Sequence, residues 1–199
     1  MKRPLALLSG ILLGLAIAAA PAAIADDGVK VNVVEEGNGV FLVKGSFTVP
    51  SDASSAAWTV LTDYDKLGSF VPSVKSSVVK QLGPDAMLVS QESTARFMAI
   101  NKTMRVLLQT QEAPQSKIHF TDVGLKDFEH FIGNWTLEHT AQGTRIDYVA
   151  SAKPRIYLPI WGGSIMHEMV KGQLTSLKKE ILRRPATAND SLERSKPAA

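Results

Sequence analysis

The chain has 199 residues, 22 basic and 19 acidic side chains, a formal net charge of +3 and no cysteine. The missing cysteines exclude disulfide staples and thiol chemistry, and the length is one domain's worth of chain with room for a sizeable core. Lys2 and Arg3 sit in a leader, and without them the charge falls from +3 to +1, too weak a surplus to mark a nucleic-acid surface.

Residues 1–25 read as a signal peptide. Lys2 and Arg3 form its basic start, Leu5–Ala20 its apolar stretch, and Ala23-Ile24-Ala25 a small-residue cleavage site before Asp26. The apolar run approaches the length of a membrane span, so an uncleaved anchor is the competing reading. Cleavage would leave a periplasmic or secreted protein.

The folded domain is expected over 26–184. Phe41, Val43, Phe47 and Val49 alternate along a first strand that Pro50 stops. Ser51 or Asp52 is placed to cap a short helix with Ala56, Ala57, Val60 and Leu61 on one stripe and Trp58 beside it. Asp63, Asp65 and Gly68 break that helix, and Phe70, Val71 and Pro72 lead back into extended chain. Long antiparallel strands follow, with turns at Gly83-Pro84-Asp85, Ala113-Pro114-Gln115 and Gln142-Gly143. Met87, Val89, Ala95 and Phe97 share one strand face with Gln91 and Ser93. Met104, Val106 and Leu108 share another, as do Ile118 and Phe120, then Phe131, Gly133, Trp135 and Leu137, then Ile146, Tyr148 and Ala150. From Gly163 to Arg184 the period lengthens: Ile165, Met166, Met169, Val170, Leu174, Leu177, Ile181 and Leu182 fall at three- and four-residue spacings, the mark of an amphipathic helix. Pro185 ends it, and 185–199 reads as a disordered tail. Lys178, Lys179, Arg183 and Arg184 near the helix end complement its dipole and are expected to stay solvated.

Trp58, Leu61, Asp63, Tyr64, Asp65, Phe70 and Pro72 carry a resemblance. Their order, Trp–x–x–Leu–x–Asp–Tyr–Asp and then Phe–x–Pro, is similar to the entry segment of the START-like (SRPBCC) superfamily, in particular its polyketide cyclase/coenzyme Q-binding branch. The order of elements matches over roughly 40 to 184. The resemblance implies an α+β helix-grip fold: a curved antiparallel sheet wrapped around one long C-terminal helix, with two short helices between strands one and two. It also implies a cavity between sheet and helix. Periodicity alone gives only an apolar interface there.

The residues expected to line such a cavity are Trp58, Met87, Gln91, Ser93, Phe97, Met104, Val106, Trp135, Tyr148, Met166, Met169 and Val170. Methionines suit an adaptable lining, and they equally suit gap-filling in a closed core. Gln91 and Ser93 on an apolar face are costly in a filled core, but in a pocket they would orient a ligand. Tyr157 and Trp161 in the 154–163 loop are gate candidates: a membrane-touching or ligand-gating lip, or a loop tucked over the core.

Catalytic patterns are poor. His119, His130, His139 and His167 are scattered without metal-ligand spacing, and no nucleophile elbow or phosphate loop is present. Asp127, Glu129 and His130 fall in an expected loop where such groups are normally solvated. His167-Glu168 at the helix start reads either as an acid/base pair in the cavity mouth or as a surface or capping pair. The expected function is a periplasmic carrier of a hydrophobic small molecule, a lipid or isoprenoid quinone, without cofactor or metal and with transient membrane contact. A cyclase, dehydratase or hydrolase in the same cavity is the alternative, and a protein-interaction module a third.

Overall fold

The computed structural model describes residues 28–97, 100–156, 158 and 161–184, leaving aside the side chains of 96, 97 and 100. The leader, the tail, Met98 and the Phe97 and Tyr157 side chains therefore lie outside the described residues.

Strand β1 (Lys30–Gly37) forms a hairpin with β2 (Val40–Val49). Asn38 and Gly39 make the turn with φ of 51° and 73°, the left-handed pair that a tight hairpin needs and that Asn-Gly adopts readily. β1 is an additional strand. The helical insertion accordingly sits between β2 and β3, which are the strand of Phe41–Val49 and the strand starting at Val74.

The insertion consists of a 3₁₀ turn (Ser51–Ala53), α1 (Ser54–Thr62), a second 3₁₀ turn (Tyr64–Lys66) and the single-turn α2 (Leu67–Phe70). Pro50, rather than Ser51 or Asp52, holds the N-cap position of the first turn, with no side-chain cap bond. Its carbonyl accepts from Ala53 N–H at 3.0 Å, so the backbone closes the turn itself. α1 buries the expected stripe of Ala56, Ala57, Val60 and Leu61.

The remaining strands are β3 (Val74–Gln81), β4 (Ala86–Phe97), β5 (Ile100–Ala113), β6 (Lys117–Asp122), β7 (Phe128–Thr140) and β8 (Gly143–Pro154). One antiparallel sheet takes the order β1-β2-β8-β7-β6-β5-β4-β3. The helical insertion crosses the sheet from β2 to the far edge, and the chain returns strand by strand to pair β8 with β2. The edge strand β3 is partly covered: Val79 N–H donates to Asp65 Oδ1 at 2.9 Å, which blunts an otherwise open hydrogen-bonding rim.

Helix α3 (Gly162–Arg183) packs on β1 and β2 and reaches α1, α2 and β4. The approach to β2 is close, because a Cβ at Gly45 would run into Leu174 Cδ1. This is the helix-grip architecture, with its core formed by Phe47, Val49, Val60, Ile146, Leu177 and Ile181 among others. The buried positions of α3 are Gly162 and Ile165 at one end and Leu174, Leu177, Glu180 and Ile181 at the other. Leu182, expected on the apolar stripe, is exposed.

At the basic end of α3, Lys179 and Arg183 are exposed as expected and Arg184 departs from expectation. Arg184 is only 20% exposed at its side chain and pairs with Asp63 and Glu180, both at 2.9 Å. Its guanidinium lies 5.4 Å from the centre of the Phe70 ring. Partial burial beside α1 and α2 strips this cation of much of its water, and two carboxylates and an aromatic face replace it.

Candidate functional site

A cavity of about 210 Å³ lies between the concave sheet face and α3. Its floor comes from alternate residues of β4 to β8, since a strand puts every second side chain on one face. Val89, Gln91, Ser93 and Ala95 come from β4, Met104, Val106, Leu108 and Thr110 from β5, and Ile118 and Phe120 from β6. β7 adds Phe131 and Trp135, and β8 adds Tyr148, Ala150 and Ala152. The roof is Ile165, Met166, Met169, Val170, Gln173 and Leu177, successive turns of one face of α3. Leu61, Tyr64 and Leu67 close the side nearest the helical insertion.

The aromatic part of the floor is continuous. Trp135 and Tyr148 have ring centres 4.6 Å apart, Phe120 and Phe131 5.1 Å, and Phe128 and Phe131 5.0 Å. Offset and tilted contacts of this kind suit the ring quadrupoles and make a rigid wall.

Nine of the expected cavity residues line this space: Gln91, Ser93, Met104, Val106, Trp135, Tyr148, Met166, Met169 and Val170. Trp58 and Met87 do not. Trp58 packs on the core from outside the buried α1 stripe, one step round the helix from Ala57. Met87 shares the face of Val89 but lies one pair nearer the Gly83–Asp85 turn, opposite Thr110, where the β4 wall has ended.

The polar groups are few and neutral. Gln91 Nε2 donates to Ser93 Oγ at 3.2 Å. Tyr64 donates its hydroxyl proton to Glu112 Oε1 at 2.6 Å, and burial together with that carboxylate pushes the phenol well above its usual pKa. Tyr148 is also raised, by burial, with no hydrogen bond to a described residue offsetting it. Both phenols therefore stay protonated. No Asp, Glu, Lys, Arg or His is among the described residues that line the cavity.

The remaining candidates lie elsewhere. His119 contacts Asn134 Oδ1 at 3.0 Å and Thr121 Oγ1 at 3.3 Å, and His139 contacts Thr144 Oγ1 at 2.8 Å. Glu129 and His130 belong to β7 rather than to a loop, and Glu129 pairs with Lys153 at 2.7 Å, which lowers its pKa. His167 and Glu168 pair at 3.1 Å on the exposed side of α3. Among the described residues no cluster of three or more His, Asp or Glu could hold a metal ion.

At one end of the cavity, Phe128, Pro154, Ile156 and Leu158 line the space beside Ile165. Trp161, next to this rim, is 41% exposed, and Val123 and Leu125 are exposed large apolar residues. Arg155 Nε donates to Leu125 O at 3.1 Å and Arg155 N–H to Asp127 O at 2.9 Å, which draws the 123–127 loop to the same rim.

A family model described as polyketide cyclase / dehydrase and lipid transport matches residues 42–187. The chain belongs to that family. A search of curated proteins finds no match. Among solved structures, the chain is similar to a STAR-related lipid transfer protein from Xanthomonas axonopodis, with 20% identity, a TM-score of 0.64 and coverage of 81% of this chain and 97% of that one. Human STARD10 shares 16% identity, with a TM-score of 0.60 over 87% of this chain and 81% of its own. The Zhui aromatase/cyclase from a Streptomyces species shares 14% identity, with a TM-score of 0.56 over 80% and 98%. At these identities the likeness is one of fold. Family membership spans carriers and cyclases, so the chemistry must be argued from the cavity.

Several lining residues escaped the sequence reading. Tyr64 lies within the entry motif, and Gln173 lies four residues beyond Met169 on the same helix face, so both were within reach. Thr94 was not, because Ser93, Thr94 and Ala95 all line the cavity and strict alternation fails there.

Proposed function

We propose that this protein is a carrier that holds a hydrophobic small molecule, a lipid or isoprenoid quinone, between its sheet and α3. The observation behind this is the uncharged, largely apolar lining. Each CH₂ moved from water into such a lining stabilises the complex by about 0.8 kcal/mol. Gln91, Ser93 and Tyr148 are among the neutral hydrogen-bonding groups that orient a ligand.

A catalytic use of the same space has less support. General acid–base catalysis works best with groups whose pKa lies near the working pH. The ionisable side chains among the described lining residues are Tyr64 and Tyr148, both shifted upward and hence donors rather than bases. The lipid-transfer name of the Xanthomonas structure agrees with the carrier reading, and the aromatase/cyclase name is the reason to test for turnover.

In this reading Trp161, Val123 and Leu125 form a lip that meets a membrane during ligand exchange, since Trp is favoured at lipid–water boundaries. Export with cleavage before Asp26 places the carrier in the periplasm. Native mass spectrometry of protein purified from its own host tests the core of the proposal. A copurifying, chemically unmodified lipid is expected. An empty cavity together with turnover of a polyketide or ester substrate would replace the carrier by an enzyme. Intact-mass measurement of the same sample is expected to show a chain starting at Asp26, and retention of Met1 would place the protein on an N-terminal anchor.

A further inference from the structure

We infer that the cavity has a second, polar opening between α3 and the Pro72-Ser73 segment, which receives the uncharged, hydrogen-bonding head of an amphiphile whose apolar part fills the cavity. The inference rests on the carrier reading and adds the class of ligand. Ser73, Thr94, Met169 and Gln173 line both the cavity and an outer groove, and the groove continues over Glu168, Gly172 and Ser176. The two spaces thus share a neck with three polar side chains.

Thr94 carries the assignment. The residue is 7% exposed, and its Oγ1 is buried without a hydrogen-bond partner among the described residues. Its backbone N–H is committed to Ser73 O at 2.7 Å, which ties β4 to the Pro72-Ser73 segment, and the residue lines both spaces. Buried hydroxyls in folded proteins are almost always paired, and a ligand oxygen or N–H at the neck would supply the missing partner. Gln173, on the facing helix, brings an amide that both donates and accepts.

Charge selects the head. Among the described residues lining groove and cavity, Glu168 alone is charged, and it is mostly exposed. A phosphate or ionised carboxylate would meet no Lys or Arg, the residues that recognise such anions, and would face a carboxylate instead. Hydroxyl, ether, ester and amide heads fit.

The test compares the n-alkane, the 1-monoacylglycerol and the fatty acid of one chain length, titrated into the folded protein and read by native mass spectrometry. The monoacylglycerol is expected to bind most tightly. Thr94→Val, which keeps the shape and removes the hydroxyl, is expected to weaken it roughly three- to tenfold, the worth of one net hydrogen bond, and to leave the alkane unchanged. Gly172→Leu is the second variant: a Cβ there meets open space, and Leu favours the helix, so it narrows the groove without unfolding the domain. It too is expected to weaken the monoacylglycerol selectively. Equal affinity for alkane and monoacylglycerol, or both variants without effect, overturns the polar opening while leaving the carrier reading standing. Preference for the ionised fatty acid overturns the uncharged head. Failure of the wild-type protein to take up any of the three overturns the carrier reading and this inference together.

Discussion

Arg184 Nη2 donates to Asp63 Oδ2 at 2.9 Å, joining the residue after α3 to the residue that ends α1 across 121 positions of sequence. The same guanidinium lies over Phe70 and donates through Nε to Glu180. The bond ties the C-terminal end of the gripping helix to the helical insertion. Arg184→Met is expected to lower the unfolding free energy by about 1–3 kcal/mol, because it takes from Asp63 its hydrogen bond in a half-buried place and leaves Glu180 to Arg183 alone. Urea unfolding measures this, and an unchanged midpoint would show that the pairing contributes nothing. Lys should restore only part, since a point charge cannot reproduce the fork and the stacking.

The pH dependence follows from the same cluster. Glu180 is held at about 2 instead of 4.5, chiefly by its hydrogen bond to Arg183 and then by that to Arg184, while burial opposes the shift. A carboxylate lowered by folding contributes stability that is complete above its unfolded value. That contribution is lost as pH falls through the folded value. The affected window is therefore from about 4.5 down to about 2. Denaturant titrations across it should show a falling midpoint in the native protein and a flatter profile in Glu180→Gln. Parallel profiles would assign the acid sensitivity to other carboxylates.

Met104 and Met169 line the cavity from β5 and α3, on opposite walls. Met104→Trp is expected to occupy the space and abolish lipid uptake with little loss of stability, because the added volume enters a void. In a fully packed core the same change would cost about 1–3 kcal/mol. Lipid content by mass spectrometry and a thermal melt separate the two. Normal uptake with lowered stability would remove this position from the binding wall.

Trp161 stands at the rim with 41% of its surface exposed. Trp161→Ala should slow ligand transfer to or from liposomes while destabilising the domain by far less than the roughly 3–5 kcal/mol of a fully buried Trp. Quencher-labelled lipids report contact directly once Trp58 and Trp135 are replaced by Phe. Full transfer rates and no quenching would end the role of this loop in exchange.

The fold was legible because each element announces itself by period. Alternation in β2 and β4–β8 and the three–four spacing of α3 gave the elements and the apolar face of each, while the resemblance of the Trp58–Pro72 segment implied the helix-grip class. β1 was overlooked because Val31 and Val33 are interrupted by polar partners on an edge strand, although Asn38-Gly39 signals a hairpin. Much of the cavity wall was also legible, since Gln91, Ser93, Met104 and Tyr148 sit on the predicted inner face. Other features depended on tertiary geometry. Arg184 looked like an ordinary helix-end cation until Asp63 and Phe70 were brought beside it, and whether the space above Tyr148 is filled or empty depends on sheet curvature.

The middle of α3 is a span between two piers. Its anchors are Gly162 and Ile165 at one abutment and Leu174, Leu177 and Ile181 at the other, with no buried residue between. Beneath the deck, Met166, Met169 and Val170 line the void, and Met166 and Val170 are only partly buried against the core. Amide protons of this midsection should exchange faster than those at either abutment, because local opening there gives up few packed contacts. Whatever molecule fills the void becomes the missing course of masonry: it should slow exchange in the midsection first, and raise the melting temperature with the logarithm of its free concentration above the dissociation constant.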